Sequence, residues 1–74
     1  MNNLRRKCLE VAIKLLEKAE SVIGEVRGEE QKVFESLPHS LAKTSKACYM
    51  EECISSMQEI QSNLKCQAMD LEKL

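Results

Sequence analysis

The stretch Phe34-Glu-Ser-Leu-Pro-His-Ser-Leu-Ala-Lys-Thr-Ser45 contains the only proline of the chain and separates two long segments with helical periodicity. Because a proline disfavours the α conformation in the residue before it, the first helix should end by about Ser36 or Leu37. Pro38 also suits the first position of a short helical turn that would reach Leu41. The stretch therefore predicts a hairpin whose two arms meet at this turn.

Both arms have start signals and long breaker-free runs. Asn2 or Asn3 can cap the first helix, and Thr44 or Ser45 can cap the second. At 1.5 Å per residue, helices of about 30 residues span about 45 Å, and a short turn makes them antiparallel. The sequence predicts a single all-α domain made of residues 1–74, with a helix at about 4–36, a turn at about 37–44 and a helix at about 45–73.

Each predicted helix carries a broad apolar stripe. In the first, a heptad assignment places Cys8, Leu15 and Val22 at one core position and Ala12, Ala19, Val26 and Val33 at the other, with Leu9, Leu16 and Ile23 alongside. In the second, Met50, Met57, Leu64 and Leu71 share one position and Ala47, Ile54 and Ala68 the other, with Cys53 and Ile60 alongside. These stripes are wider than a two-stranded coiled-coil seam and are typical of bundle helices.

One hairpin cannot cover two stripes of this width. We therefore expect a homo-oligomer, most simply a symmetric dimer that forms an antiparallel four-helix bundle, with a larger ring of hairpins as the alternative. The oligomer interface is predicted to contain Leu15, Val22, Val26, Met50, Ile54, Met57 and Leu64.

Three residues interrupt the stripes. Gly24 and Gly28 lie four apart on one helix face, which is compatible with a continuous helix, with a bend, or with close approach of another backbone. Gln61 breaks the Ala47, Ile54 and Ala68 row. It either fixes the register of the helix pair or lies at the edge of the stripe.

Charge and hydropathy exclude several functional classes. The 11 basic and 12 acidic residues give a net charge of -1 without a block of one sign, which makes a nucleic-acid-binding role unlikely. No apolar run approaches the about 18 residues that cross a bilayer, and no signal peptide precedes the first helix. We expect a soluble cytoplasmic protein with no membrane contact.

The residues that could carry chemistry do not form a known catalytic or metal-binding pattern. Without Cys-x-x-Cys or Glu-x-x-His motifs, the sequence predicts neither a metal nor another cofactor. The four cysteines are expected to be free and largely buried, although Cys8 and Cys66 could be neighbours across the helices. His39, the only histidine, is expected to be a solvated turn residue, since no orienting group accompanies it.

A small anionic ligand is the one non-protein ligand for which the sequence supplies candidates. It would need basic and aromatic side chains, and the candidates are Arg5, Arg6, Lys43, Lys46 and Tyr49. Three of them fall near the start of the second helix. They would act at subunit boundaries of an oligomer that sequesters a nucleotide-like signalling molecule.

The run from Gly28 to Leu41, followed by Met50-Glu-Glu-Cys-Ile54, resembles small uncharacterised helical proteins of bacteria, their phages and mobile elements. In that group a Glu-Glu-Gln segment leads to a Phe, an Asn-Leu-Pro-Glu-Ser-Leu-type turn and a Met-Glu-Glu-Ala-Ile helix. This chain departs from the pattern at Ser36, at His39 and at Cys53. The resemblance covers about a third of the chain and implies an accessory hairpin protein, with no active site to carry over.

Together these features favour a non-enzymatic binding protein, such as a phage or mobile-element anti-defence factor that binds a host protein stoichiometrically. The alternative is the oligomeric sponge for an anionic ligand. A purely structural module is a third class, and its nucleic-acid version is disfavoured by the balanced charge. An enzyme is the class least expected, because one two-helix unit offers no enclosed pocket.

Overall fold

The computed structural model describes all residues 1–74 and contains three helical elements and no strand. Helix α1 comprises Asn3–Glu35 and helix α2 comprises Ser45–Glu72, with a short 3-10 helix at His39–Leu41 between them. The two long helices pack against each other as an antiparallel hairpin, a rod of 59 × 14 × 13 Å. The predicted two-helix hairpin is confirmed.

The helix ends follow the capping signals of the sequence. The Asn2 side chain accepts a hydrogen bond from the Arg5 amide at 2.8 Å, which satisfies a free N–H group of the first turn of α1. Thr44 does the same for α2, because its hydroxyl accepts from the Ala47 amide at 3.2 Å and donates to the Leu41 carbonyl at 2.9 Å. Thr44 therefore connects the turn to the first turn of α2.

The buried core is small and lies on α2. Only Ala47, Met50, Ile54 and Ala68 are buried, and no residue of α1 is. Opposite them, α1 contributes half-buried side chains: Leu9, Leu16, Ile23 and Phe34. Six other large apolar side chains of α1 remain exposed to solvent.

The structure decides which apolar row of α1 faces α2, a point that the heptad assignment left open. The row Leu9, Leu16 and Ile23, placed alongside the core from the sequence, is half-buried against α2, whereas Leu15 and Val22 are 65% and 46% exposed. Adjacent rows differ by one residue, which turns a side chain by about 100° around the helix. Both rows are apolar, so only the position of the partner helix distinguishes them.

Helix α1 runs through both glycines as one uninterrupted helix, so it does not break at Gly28. Nothing lies within 4 Å of a Cβ built on Gly28. Gly24 instead faces the Gln61 side chain of α2. Close approach therefore occurs at Gly24, to a side chain rather than to a backbone.

Candidate functional site

The largest unpartnered feature of the molecule is a row of apolar side chains along α1, which we call the α1 stripe. It consists of six residues that are 46 to 72% exposed: Leu4, Val11, Leu15, Val22, Val26 and Val33. At about 100° per residue these positions fall within about 60° of arc, and they extend about 44 Å along the helix. The α1 stripe is thus a straight, narrow apolar ridge that covers nearly the whole length of α1.

The spacing of the α1 stripe is a sequence signal that the heptad analysis missed. Leu4, Leu15 and Val26 recur every 11 residues, and so do Val11, Val22 and Val33. An 11-residue repeat gives 3.67 residues per turn, which stays on one face of an α-helix better than a 7-residue repeat does. Ala12, Ile23 and Phe34 on the face towards α2 also recur every 11 residues, so the period alone does not separate the two faces.

The two long edges of the α1 stripe differ. On the edge towards α2, the gaps are filled by the small residues Cys8, Ala12 and Ala19. The edge away from α2 carries exposed charges, basic in its first half and mixed further along: Lys7, Lys14, Lys18, Glu25 and Lys32. The exposed Glu29 lies within the arc of the stripe, between Val26 and Val33. An apolar row flanked by charges on its solvent side is the usual surface of a helix that packs against another protein element.

A polar cluster lies in the middle of the seam between α1 and α2. Arg27 donates from Nε to Oε1 of Gln61 at 2.6 Å, and Nε2 of Gln61 donates to the Glu20 carbonyl at 3.4 Å. All three side chains are half-buried. The sequence allowed Gln61 either to fix the register of the helix pair or to lie at the edge of the stripe. The structure places it in the seam, in contact with α1. Its hydrogen bonds to α1 favour one alignment of the helices over a shifted one.

Tyr49 and Cys53 lie on α2 in an open groove that is also lined by Glu30, Glu52 and Met57. The neighbouring Cys53 side chain is the main cause that raises the pKa of Tyr49 above its usual value, and partial desolvation and the Glu52 carboxylate raise it further. The titratable neighbours of Tyr49 in this groove are acidic or neutral. The groove therefore repels the anionic ligand for which Tyr49 was a candidate.

The five candidate ligand residues do not converge within one chain. Arg5 and Arg6 lie at the free end of the hairpin, whereas Lys43, Lys46 and Tyr49 lie at the turn end of a rod 59 Å long. All five are exposed, and no groove on the chain is lined by two basic side chains. The sponge alternative consequently requires an oligomer that brings opposite ends of two hairpins together.

The seven residues of the predicted oligomer interface occupy two different environments. Leu15, Val22 and Val26 belong to the exposed α1 stripe. Met50 and Ile54 are each only 6% exposed in the seam of their own chain. Their neighbours in the seam, Met57 and Leu64, are half-buried. The first three remain predicted contacts of a second chain, and the α2 residues have most of their surface occupied by α1.

The reactive side chains form no site. All four cysteines are free, and the expectation of buried thiols is wrong for Cys8, Cys48 and Cys66, which are exposed; only Cys53 is half-buried. They lie beside or opposite the seam rather than in it. No group of three His, Cys, Asp or Glu side chains is placed to hold a metal ion, and His39 is exposed in the turn.

Neither long helix has a segment both long and apolar enough to cross a membrane. Comparison of the chain with known protein families, with curated proteins and with solved structures finds no match.

Proposed function

We propose that this protein is a non-catalytic binding protein that acts through its α1 stripe by stoichiometric contact with another protein chain. One observation carries the proposal: six large apolar side chains of one helix face are left 46 to 72% exposed by the chain's own second helix. Removing apolar surface from water contributes roughly 25 cal/mol per Å². A contiguous exposed patch of this kind is the usual mark of a binding surface.

The shape of the α1 stripe favours a protein partner over a small molecule. Small-molecule sites are concave and enclose most of their ligand, whereas the stripe is a straight ridge about 44 Å long. A ridge of this length and periodicity matches an extended helical surface, in which side chains of one helix fill the spaces between those of another. The concave surfaces of the chain are shallow grooves along the hairpin.

The resemblance of the turn region supports a more specific form of the proposal. In that form the protein is an accessory factor of a phage or mobile element that blocks a host defence or regulatory protein. A stoichiometric blocker needs a surface and no reactive groups, which agrees with a chain whose single histidine and four cysteines form no cluster.

A photo-crosslinking amino acid at Leu15 tests the proposal in the cells that produce the protein. Leu15 lies at the middle of the α1 stripe, and Met69, which is 52% exposed on α2, is the matched control. We expect one discrete protein adduct from position 15 and none from position 69. Absence of any adduct from the stripe would overturn the proposal.

The mass of the adduct then discriminates between partners. An adduct with a host protein identifies the target of the blocking function. An adduct that contains only a second copy of the chain would direct the search for a target to the α2 side of the assembled hairpins, where Tyr49 and Ile60 are exposed.

A further inference from the structure

We infer that the chain that covers the α1 stripe is a second copy of this protein, packed antiparallel about a two-fold axis that passes between the two α1 helices at the level of Lys18 and Ala19. The inference rests on the proposed function and deepens it, because it names the partner of the same surface. The spacing of the stripe, the charges along its edge and the thinness of the core support it.

The spacing of the α1 stripe is the same read from either end. Successive members are separated by 7, 4, 7, 4 and 7 residues, a symmetric series centred between Lys18 and Ala19. In an antiparallel pair with that centre, each residue of the stripe meets another residue of the stripe. The three kinds of pair are Leu4 with Val33, Val11 with Val26, and Leu15 with Val22. A symmetric interface must be self-complementary in this way.

The charged edge of the stripe is also complementary in the antiparallel arrangement. A two-fold axis perpendicular to the helices brings the same edge of both copies together, so the first half of one edge faces the second half of the other. Lys7 then lies opposite Glu29, and Lys14 lies within one turn of Glu25. Lys18 falls at the centre of symmetry, so the two copies of Lys18 lie next to each other as a like-charge pair, and Lys32 near the end has no acidic counterpart.

Exposed ion pairs of this kind contribute little affinity, typically below about 1 kcal/mol each. They do discriminate between orientations, since a wrong orientation loses the attraction or places like charges together. The apolar pairs would therefore supply the affinity and the edge charges the direction.

A single hairpin buries few of its residues. Four of 74 residues are buried and none of them belongs to α1. Chains of this size usually need a disulfide, a metal or association to complete their core, and this chain has four free cysteines and no metal-binding cluster. The two-fold axis keeps both α2 helices on one side of the α1 pair.

Disulfide trapping tests the orientation directly. In a chain with all four cysteines replaced by serine, Lys18→Cys places two thiols at the symmetry centre, about 6 Å apart between Cα atoms, within disulfide range. Val11→Cys is the matched probe, because its two copies would lie about 22 Å apart along the axis. We expect a disulfide-linked dimer from Lys18→Cys and none from Val11→Cys. Cross-linking of Val11→Cys, or of neither variant, would overturn the antiparallel dimer.

Sedimentation equilibrium tests whether the α1 stripe forms the dimer interface. Leu15→Glu puts two carboxylates into the apolar interface, and we expect the dissociation constant to rise at least about 100-fold while the helix content stays unchanged. Met69→Glu makes the same type of change at an exposed position of α2 and should leave the dimer intact. A dimer that survives Leu15→Glu would contradict the inference.

A charge swap provides a second test that avoids the apolar positions. Lys7→Glu combined with Lys14→Glu should weaken the dimer, and adding Glu25→Lys with Glu29→Lys should restore it, since all four side chains are exposed. Failure of the restoration would exclude the proposed register.

Different results would contradict the proposed binding function and the second-copy inference. If the wild-type chain is a monomer, the second-copy inference is wrong. A photo-adduct between Leu15 and a different protein would then still support the proposed binding function.

Discussion

The side-chain nitrogen of Gln61 lies 2.7 Å from the point where a Cβ on Gly24 would sit. Only glycine leaves this space, so the two residues fit as a side chain and a notch at mid-seam. From that position Gln61 accepts from Arg27 and donates to the Glu20 carbonyl, one helical turn on either side of the notch. The glycine is therefore part of the polar contact that aligns the two helices.

The two glycines of α1 should respond differently to alanine. Gly28→Ala should stabilise the hairpin by about 0.8 to 1 kcal/mol, the difference in helix propensity, because its Cβ meets nothing within 4 Å. Gly24→Ala gains the same propensity but displaces the Gln61 amide, so its net effect should be close to zero or unfavourable. Urea unfolding followed by circular dichroism, at one protomer concentration, measures both. Equal stabilisation by the two substitutions would show that the notch is unimportant.

Gln61→Ala should destabilise the hairpin by about 1 to 2 kcal/mol, because it removes the acceptor of the half-buried Arg27 guanidinium. In that background Gly24→Ala should recover its full propensity gain. A double-mutant cycle on the free energy of unfolding measures this coupling. Additive effects would mean that Gln61 and Gly24 act independently, contrary to the observed contact.

The stability of the hairpin should depend on the hydroxyl group of Thr44. Thr44→Val removes the hydroxyl that accepts from the Ala47 amide and donates to Leu41, and should cost about 1 kcal/mol, as N-cap losses do. Thr44→Ser keeps the hydroxyl and should stay within about 0.5 kcal/mol of the wild type. The two thermal unfolding curves provide the comparison; a loss of similar size in Thr44→Ser would assign the effect to packing of the methyl group instead.

Two isoleucines of α2 provide a matched test of the core. Ile54 is 6% exposed and Ile60 is 46% exposed. Ile54→Ala should cost about 2 to 4 kcal/mol, whereas Ile60→Ala should cost less than about 1 kcal/mol. Chemical denaturation of both variants measures the difference. Similar losses at both sites would indicate that Ile60 is covered by another chain.

Tyr49 should ionise at a higher pH than an ordinary tyrosine. Its pKa is raised above 10.0, first by the neighbouring Cys53 side chain, so its neutral form persists to higher pH. Cys53→Ala should lower the pKa towards 10.0, and Cys66→Ala, a change at an exposed cysteine further along α2, should leave it unchanged. Because the chain has one tyrosine and no tryptophan, the absorbance of tyrosinate reports Tyr49 alone. A wild-type pKa at or below 10.0 would contradict the Cys53 contact.

Local signals in the sequence predicted the elements well. Pro38 and the capping residues Asn2 and Thr44 place the observed boundaries at 3–35 and 45–72 within about one residue of those expected. Local signals could not decide whether α1 continues through its glycines, since an interior glycine weakens a helix without ending it. They also could not bring together candidate ligand residues such as Arg5 and Lys43, which an antiparallel hairpin separates.

The sequence by itself determined the hairpin, because proline, caps and apolar periodicity act over a few residues and depend on no distant partner. Only the tertiary structure decided which of two apolar rows on α1 faces α2. The two rows are nearly equal in hydrophobicity, and the choice between them depends on contacts across the seam, where Gln61 fits against Gly24 and bonds to Arg27. That choice leaves the α1 stripe uncovered, and so places the candidate binding surface on the outside of the hairpin.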